Sequence, residues 1–395
     1  MESRNATDLA RAFYEALASG HREQLDALLH PDFVGHFAEG MPFGIGGRHD
    51  SPAATRRDGW RVIAKHFEAR AEPDRFLELP DGGLLVTGRY RGRGRNGAAS
   101  LDAAFAHVLA FREGRIVGLE QYTDTARWRD AAGPLRTVLL DVAEGVATVR
   151  LNRPDQGNAI DAVMASDLEE AVLKIAETPD VRAVLIAGNG PNFTVGGDLA
   201  LFAGLRHSQL PHLLRRMIGA YHHAIELLTA IDAPVVAAVR GGAAGGGLGL
   251  LYAADIVIAS EDARLALGYG ALGLTADGAN TWFLPRMVGL RRAQEMFLLN
   301  RRLTAQEALA FGLVTRIVPS DRVDAEAAAV AATLATGPTR AYGATRRLLR
   351  QSFETGLFDQ LRAERESIVM ASRSQDAAEG IAAFTAKRAP KFRGR

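Results

Sequence analysis

The feature that most constrains the fold is a pair of short strand-like runs, residues 181–186 and Val235–Val239, each followed by a glycine-rich loop. Mostly apolar runs of this length are typical of β-strands. Helical patterns occupy residues 162–177 and 210–230, so helices and strands alternate. This alternation predicts an α/β layered domain in the second part of the chain.

The same domain extends in both directions from these runs. Residues 138–151 alternate like a β-hairpin, and residues 256–259 and 314–318 have the composition of strands. Residues 304–307 (Thr-Ala-Gln-Glu) form a capping box, which predicts that a helix begins there. Residues 322–395 have an almost continuous helical pattern and are predicted to form a C-terminal helical region.

A different pattern fills residues 1–131. Leu9, Phe13 and Leu17 recur at helical spacing, and strand-like stretches follow them. These stretches are residues 84–90, 104–111 and 116–122. Helices followed by an antiparallel meander indicate an α+β domain. We therefore expect one domain over residues 1–131, a linker at 132–136 and a second domain over 137–395.

Composition and charge exclude several classes of protein. The 395 residues include 47 basic and 46 acidic ones, a net charge of +1, so no global field attracts nucleic acid or a membrane. The chain has no cysteine, which excludes disulfides, thiolate zinc sites and a cysteine nucleophile. Its start has an amphipathic helical pattern instead of a signal peptide, and no apolar run approaches the roughly 18 residues of a membrane span. We expect a cytoplasmic protein.

The glycine-rich loops at residues 193–199 and 241–249 can bring backbone N–H groups close to a ligand. Two such groups that point at one oxygen form an oxyanion hole, which stabilises a developing negative charge. Neither loop has the lysine of a phosphate-binding P-loop or the Gly-x-Gly-x-x-Gly spacing of a dinucleotide site. Each loop taken alone is also compatible with a simple tight turn.

Further short motifs occur in order along residues 135–395. They are Leu151-Asn-Arg-Pro with Asn158-Ala, Asn192-Phe-Thr-Val-Gly-Gly-Asp-Leu, Ala253-Ala-Asp-Ile, Leu284-Pro-Arg-Met-Val-Gly and Glu379-Gly-Ile-Ala-Ala-Phe. In this order they resemble the crotonase (enoyl-CoA hydratase/isomerase) superfamily. The resemblance implies a spiral of ββα turns, trimers or dimers of trimers, and acyl-CoA or acyl-carrier thioesters as substrates. It places the two oxyanion-hole amides on Gly197 and Gly246.

The sequence departs from typical hydratases of this superfamily at both catalytic glutamates. One is expected three residues after the second oxyanion glycine, where this chain has Gly249, and the other falls on Tyr269. Without two carboxylates to activate water and protonate the α-carbon, enoyl hydration is not expected. Asp277 instead resembles the active-site aspartate of isomerase-type members and the nucleophilic aspartate of 4-chlorobenzoyl-CoA dehalogenase. His222 aligns with a histidine of that dehalogenase.

Each of these candidates has an alternative role. Asp277 is a proton-transfer base, a nucleophile, or only the cap of a helix that starts near Ala279. His222 is either catalytic or an ordinary helix histidine, and Tyr269 is either a pocket wall or a hydrogen-bond donor. The resemblance further assigns substrate or CoA contacts to Val195, Phe384 and Lys387. Phe384 and Lys387 are expected to make these contacts with the CoA of a neighbouring subunit.

Residues 1–131 resemble the NTF2-like group, which includes SnoaL-type cyclases, through the order of their elements and the motif His30-Pro-Asp-Phe-Val. The resemblance implies a cone-shaped α+β fold. It makes Asp124 the counterpart of an acid–base aspartate on a late strand. The histidines that could line the cone are His36, His66 and His107. Such domains also serve as lids or dimerisation modules, so a non-catalytic role stays open.

Together these features predict a crotonase-type enzyme that stabilises a thioester enolate and shifts a double bond or performs a related lyase step. No metal is expected, and no cofactor beyond the coenzyme A or phosphopantetheine of the substrate. The domain fusion suggests a specialised pathway, such as polyketide or aromatic metabolism.

The alternatives are an atypical hydratase, a dehalogenase- or hydrolase-like member, and a non-catalytic binding protein. The Arg/Gly-rich stretch 89–100 is predicted to be a solvated loop. With the basic tail 387–395, it would support RNA binding under the last alternative. We expect a homo-oligomer without nucleic-acid or membrane partners.

Overall fold

The computed structural model describes residues 5–95, 100–133 and 135–395. The chain divides into two compact units between residues 134 and 135, within the stretch expected to be the linker. Residue 134 of that linker lies outside the described residues. Each unit has a hydrophobic core of its own, so each is described by itself.

The first unit is built on a six-stranded sheet with helices against it. Its strands are β1 Leu29–Phe37, β2 Gly47–His49, β3 Phe67–Glu78, β4 Leu84–Gly94, β5 Ser100–Arg112 and β6 Arg115–Thr123. Its helices are α1 Ala6–Ser19, α2 Arg22–Leu28, α3 Pro52–Ala54, α4 Arg61–His66 and α5 Thr125–Ala132, with a π-helical turn Thr55–Trp60 before α4. Within the described residues the strand order is β2-β1-β6-β5-β4-β3, and only β1 and β6 pair in parallel.

Strand β5 shows how the sequence selects the buried face of this sheet. Its odd-numbered residues from Leu101 to Leu109 are buried in the core. The even-numbered residues between them point to the opposite face and are more exposed. This period of two follows from strand geometry. It places His107 on the core face between Phe105 and Leu109, where it is buried although it is polar.

The Arg/Gly-rich stretch is mostly a strand, so the expectation of a solvated loop over residues 89–100 is wrong. Strand β4 continues to Gly94, and residues 96–99 lie outside the described residues. Arg89, Arg91 and Arg93 pair across the sheet with carboxylates of the neighbouring strands. These carboxylates belong to Asp102, Glu72 and Glu68. The pairing offsets the positive charge of this stretch, which is one of the two basic stretches on which the RNA-binding alternative depended.

The second unit has a mostly parallel main sheet with helices on both faces. Its strands are β7 Val138–Ala143, β8 Val146–Leu151, β9 Ala183–Gly188, β10 Val235–Val239, β11 Gly242–Ala244, β12 Ile256–Ser260, β13 Arg264–Ala266, β14 Leu303–Thr304 and β15 Arg316–Val318. The main sheet has the order β15-β12-β10-β9-β8-β7, and only the hairpin β7–β8 is antiparallel. A small second sheet has the order β11-β13-β14.

The helices of the second unit alternate with its strands along the chain, and the last four follow the last strand. They are α6 Ala162–Glu177, α7 Leu199–Ala203, α8 Leu210–Ala230, α9 Leu248–Ala253, α10 Tyr269–Leu272, α11 Asn280–Val288, α12 Leu290–Leu298, α13 Ala305–Ala310, α14 Val323–Ala335, α15 Thr339–Gln351, α16 Leu357–Ala371 and α17 Gln375–Thr385. The last four form the C-terminal helical region.

The buried strand β9 contributes to two core layers. Val184 and Ile186 belong to the core that includes α6 and α8, while Leu185 points to the opposite face of the sheet. There it meets a stripe of mostly small residues on α14 that recur every fourth position. These residues are Val323, Ala327, Ala331 and Ala335. The apolar composition of β9 is therefore explained by burial on both faces.

Candidate active site

The two glycine-rich loops lie against each other after the carboxyl ends of β9 and β10. The N–H of Thr194 donates to the carbonyl of Gly242 (3.1 Å), and the N–H of Ala244 donates back to Thr194 (2.9 Å). A Cβ on Gly196 would lie 2.7 Å from the carbonyl oxygen of Ala244, and Gly196 has a φ of +87°. Glycine is therefore required there, because a side chain would separate the loops.

Both predicted oxyanion peptides have their carbonyl groups fixed. The carbonyl of Gly196 accepts from the N–H of Ile160 (2.7 Å), and the carbonyl of Gly245 accepts from Asn280 Nδ2 (3.1 Å). In a trans peptide the N–H points opposite to the C=O, so these bonds orient the N–H groups of Gly197 and Gly246. Among the described residues neither N–H donates to a backbone acceptor. Both groups therefore remain available to a ligand oxygen.

Polar side chains hold the first loop in place. Asp198 pairs with Arg153 (2.9 Å) and accepts the N–H of Leu201 (3.0 Å), which caps α7. Thr194 Oγ1 donates to the carbonyl of Asn158 (2.7 Å), and Asn158 is fully buried. The motif residues Arg153 and Asn158, to which the sequence assigned no role, are therefore supports of the loop.

Asp277 lies directly beside the second oxyanion amide. A Cβ on Gly246 would lie 2.7 Å from Asp277 Oδ1, so the carboxylate contacts the backbone of Gly246. Tyr269 Oη donates to the same Oδ1 at 2.5 Å. Burial and the charge of Asp277 raise the pKa of Tyr269, so its hydroxyl stays protonated. Within the described part of the chain no group donates to Asp277 Oδ2, which leaves this oxygen free to take a proton.

The capping alternative for Asp277 is wrong. Helix α11 begins at Asn280, its N-cap is Ala279, and no side chain caps it. Gly278 and Ala279 both have left-handed backbone conformations, with φ of +61° and +58°. These two residues turn the chain so that Gly278 packs on the carbonyl of Gly246. The turn therefore serves the placement of Asp277 and not the start of the helix.

His222 lies behind the segment that carries Asp277. Its Nε2 accepts the N–H of Gly278 at 2.9 Å, so a neutral ring carries its proton on Nδ1. While this bond is present, Nε2 cannot accept a proton from a substrate. The structure thus brings His222 to the backbone of the predicted base.

Gly249, the position of a hydratase glutamate, is closely packed. A Cβ there would lie 2.6 Å from the carbonyl oxygen of Gly278 and 2.6 Å from Ile225 Cδ1. This carbonyl belongs to Gly278, the residue that directly follows Asp277. A side chain at 249 and the observed position of Asp277 are therefore incompatible.

Sequence reasoning did not single out Asn280. This residue is fully buried, and its Nδ2 donates to the carbonyls of Gly245 and Asp277 and to Tyr269 Oη. No pattern marked it, because its contacts depend on the left-handed turn before it.

The three expected substrate contacts lie on the surface. Val195 is 43% exposed and sits beside Gly157, and Phe384 is 87% exposed. Lys387 is exposed at the end of the helical region. None of the three is brought to Asp277 by a contact among the described residues.

In the first unit, Asp124 does not lie within a late strand, the position that the resemblance implied. Asp124 lies just after β6, is exposed, and accepts the N–H of Arg127 as the N-cap of α5. His36 is exposed, and His66 stacks on Phe43. These positions leave only His107, of the three expected histidines, buried on the core face.

His107 is part of a buried polar chain. Tyr14 Oη bonds its Nδ1 (2.8 Å) and Tyr90 Oη bonds its Nε2 (2.9 Å), while Gln121 Nε2 donates to Tyr90 (2.6 Å). Burial lowers the pKa of His107 to about 3, so the ring is neutral. A neutral ring donates through one nitrogen and accepts through the other, so the two tyrosine hydroxyls satisfy both ring nitrogens.

Two further features are absent from the described residues. No helix there combines the length and apolar character that a membrane span requires. Nor do those residues bring together three metal-binding side chains.

Comparisons with known proteins cover both units. The family model for enoyl-CoA hydratase/isomerase matches residues 141–395, and the model for a SnoaL-like domain matches residues 10–119. The chain is 34% identical over 258 residues to the 1,2-epoxyphenylacetyl-CoA isomerase of Escherichia coli (strain K12), over 65% of this chain and 98% of that protein. It is 30% identical over 250 residues to a 4-chlorobenzoyl coenzyme A dehalogenase-2 of an Arthrobacter species, over 63% and 91%.

A solved structure agrees with these matches. The crystal structure of an enoyl-CoA hydratase from Bacillus anthracis superposes with a TM-score of 0.62 at 30% identity, over 66% of this chain and 100% of that one. These relatives are named for an isomerase, a dehalogenase and a hydratase. The likeness therefore does not by itself distinguish between these reactions. The geometry around Asp277 is the evidence that bears on this choice.

Proposed function

The chain belongs to the enoyl-CoA hydratase/isomerase family and carries a SnoaL-like domain at its N-terminal side, and we propose that it catalyses an isomerase-type proton transfer in an acyl-CoA thioester. The observation that carries the proposal is the contact of the Asp277 carboxylate with Gly246, with Tyr269 as its donor. Removal of a proton beside a thioester leaves negative charge on the thioester oxygen, where an oxyanion hole acts. A carboxylate base beside such a hole suits this reaction.

In the proposed reaction, Oδ2 of Asp277 takes a proton from the carbon next to the thioester carbonyl. The electrons of that C–H bond form the C=C bond of an enolate, and the carbonyl electrons move onto the oxygen. The N–H groups of Gly197 and Gly246 hold this oxygen. In a 3-enoyl thioester the charge extends to the γ carbon, and the same carboxyl returns the proton there. The product is the 2-enoyl isomer, and no atom is gained or lost.

The same geometry argues against hydration. Water addition requires one carboxylate to activate water and a second acid to protonate the α-carbon. Gly249 has no room for a side chain while Asp277 keeps its position. Tyr269, at the other glutamate position, is a proton donor to Asp277 and has a raised pKa. Asp277 is thus left without the second carboxylate that hydration needs.

We also propose that the substrate is a CoA thioester and that the chain assembles as a trimer or a pair of trimers. In one copy, apolar side chains of α16 and α17 face outward, with Phe358 84%, Ile368 70% and Phe384 87% exposed. Such a surface favours burial against another copy. Phe384 and Lys387 would then meet CoA at a neighbouring site, and Val195 would line its own. A stable monomer at micromolar concentration in sedimentation would contradict the assembly.

The experiment that tests the reaction uses the purified full chain with 3-hexenoyl-CoA. Formation of the conjugated 2-enoyl thioester is followed by its ultraviolet absorbance, and crotonyl-CoA in a parallel assay reports hydration. The wild type is expected to isomerise. Asp277→Asn should lower kcat by about a hundredfold or more, with KM little changed.

The matched control is Asp180→Asn, which neutralises an exposed carboxylate in a turn before β9. It should retain the wild-type rate. Isomerisation at the wild-type rate by Asp277→Asn, or hydration of crotonyl-CoA as the main activity of the wild type, would show that the proposed function is wrong.

A further inference from the structure

Asn280 contacts both halves of the proposed active site. The amide is fully buried at the start of α11, and its Nδ2 lies 2.7 Å from the carbonyl of Asp277, 3.1 Å from that of Gly245 and 3.2 Å from Tyr269 Oη. Its Oδ1 is buried without a hydrogen-bond partner among the described residues. All the hydrogen bonding of this side chain is therefore donation toward the site.

The bond to Gly245 acts on the oxyanion hole. The carbonyl of Gly245 and the N–H of Gly246 belong to one peptide unit, so a donor on the carbonyl polarises the N–H and makes it a stronger donor. It also fixes the plane of the peptide. A second bond, from Tyr221 Oη to the carbonyl of Gly246 (2.7 Å), fixes the next peptide. The N–H of Gly246 is thus oriented before a ligand arrives.

The other two bonds act on the base. A donor on Tyr269 Oη strengthens the hydroxyl that Tyr269 directs at Asp277 Oδ1. The bond to the carbonyl of Asp277 holds the main chain that carries the carboxylate. Asn280 therefore restrains the base and the oxyanion peptide with one side chain.

Two features of this arrangement are energetically unfavourable, and packing alone does not explain them. A buried amide oxygen without a partner is unfavourable, and so is the left-handed conformation of Ala279, whose φ is +58°. An apolar residue of similar size would remove the unpartnered oxygen. The hydrogen bonds that the Nδ2 group donates therefore account for an asparagine at this position better than packing does.

We propose that Asn280 is a positioning residue that couples the base to the oxyanion hole. The Nδ2 group holds the Gly245–Gly246 peptide and the Asp277–Tyr269 pair in one arrangement. This inference rests on the proposed function, because both partners it positions belong to that reaction. Asn280 itself does not touch the reacting atoms.

The test replaces Asn280 by leucine, which has a similar size and no donor, and uses Thr281→Val on the exposed next position of α11 as the matched control. The first probe is acetoacetyl-CoA, whose enolate absorbs in the near ultraviolet and forms at lower pH when an oxyanion hole holds it. At saturating probe, Asn280→Leu should form the enolate only at higher pH than the wild type does. With 3-hexenoyl-CoA, its kcat should fall at least about fivefold while KM changes little.

A second variant is a control for misfolding of Asn280→Leu. Asn280→Asp keeps the shape and replaces the donor by a carboxylate, so it should shift the enolate titration in the same direction. If the wild type neither forms the enolate nor isomerises, both the proposed function and this inference are wrong. If the wild type does both and the two variants match its enolate titration, only the inference is wrong, even where a loss of thermal stability lowers their activity.

Discussion

Replacing Gly249 by alanine tests whether the packing behind Asp277 determines the position of the base. The added Cβ would lie 2.6 Å from the carbonyl oxygen of Gly278 and 2.6 Å from Ile225 Cδ1. The end of the Ile225 side chain can rotate away. The carbonyl cannot do so independently, because it belongs to the left-handed turn that carries Asp277.

The displacement follows from the contact distances. An ordinary contact begins at 3.4 Å, so the Gly278 peptide has to move by about 0.8 Å, the difference between 3.4 and 2.6 Å. A misplacement on the order of 1 Å can cost about a hundredfold in rate. Overpacking of this kind typically destabilises by about 1–3 kcal/mol. We therefore expect Gly249→Ala to lower kcat by about ten- to a hundredfold and the free energy of unfolding by about 1–3 kcal/mol.

The assay is isomerisation of 3-hexenoyl-CoA, combined with urea unfolding. Gly219→Ala is the matched control, because Gly219 lies in the middle of α8 and an added Cβ would meet nothing within 4 Å. This control should keep its activity and gain about 0.5–1 kcal/mol of stability from the better helix former. Wild-type kcat and stability in Gly249→Ala would refute the packing argument.

Two further predictions concern single side chains. Tyr269→Phe removes the donor to Asp277 Oδ1 and should lower kcat at least about tenfold, because a hydrogen bond to a charged group is worth roughly 1.5–3 kcal/mol. An unchanged kcat in steady-state kinetics would contradict this role of Tyr269. His107 has its pKa lowered from 6.5 to about 3 by burial, so the unfolded state binds its proton more readily. The contribution of His107 to stability is complete above pH 6.5 and is lost toward pH 3, by about 1.4 kcal/mol for each pH unit. His107→Gln should flatten this dependence in urea unfolding of the first unit between pH 4 and 7, and an equally steep dependence in the variant would contradict it.

Periodicity predicted much of the secondary structure. The helices at 162–177 and 210–230 and the strand Val235–Val239 have the observed bounds, and the α+β and α/β folds implied by the motifs are confirmed. Strands β1 and β3 were not predicted. The sequence of β1 contains His30-Pro-Asp, and β3 alternates charged residues with small ones, so their place depends on pairing with distant strands.

Linear sequence motifs predicted part of the candidate active site. The glycine loops and Asp277 follow from residue types at fixed spacing. The contacts of Asn280 do not, because they require two consecutive left-handed residues, and Ala279 gives no sign of that conformation in the sequence. Asp124 follows β6 instead of lying within it, because local sequence does not determine the residue at which a strand ends.

Whether Asp277 is the base is tested most directly by proton exchange, which requires a base, a stabilised enolate and exchange of the carboxyl proton with solvent before it is returned. The full chain is incubated with 3-hexenoyl-CoA in deuterium oxide, and mass spectrometry with NMR counts deuterium at the α and γ carbons. We predict rapid incorporation by the wild type and a loss of about a hundredfold or more in Asp277→Asn, with thioester affinity little changed. Undiminished incorporation by Asp277→Asn would contradict the assignment and place the base elsewhere.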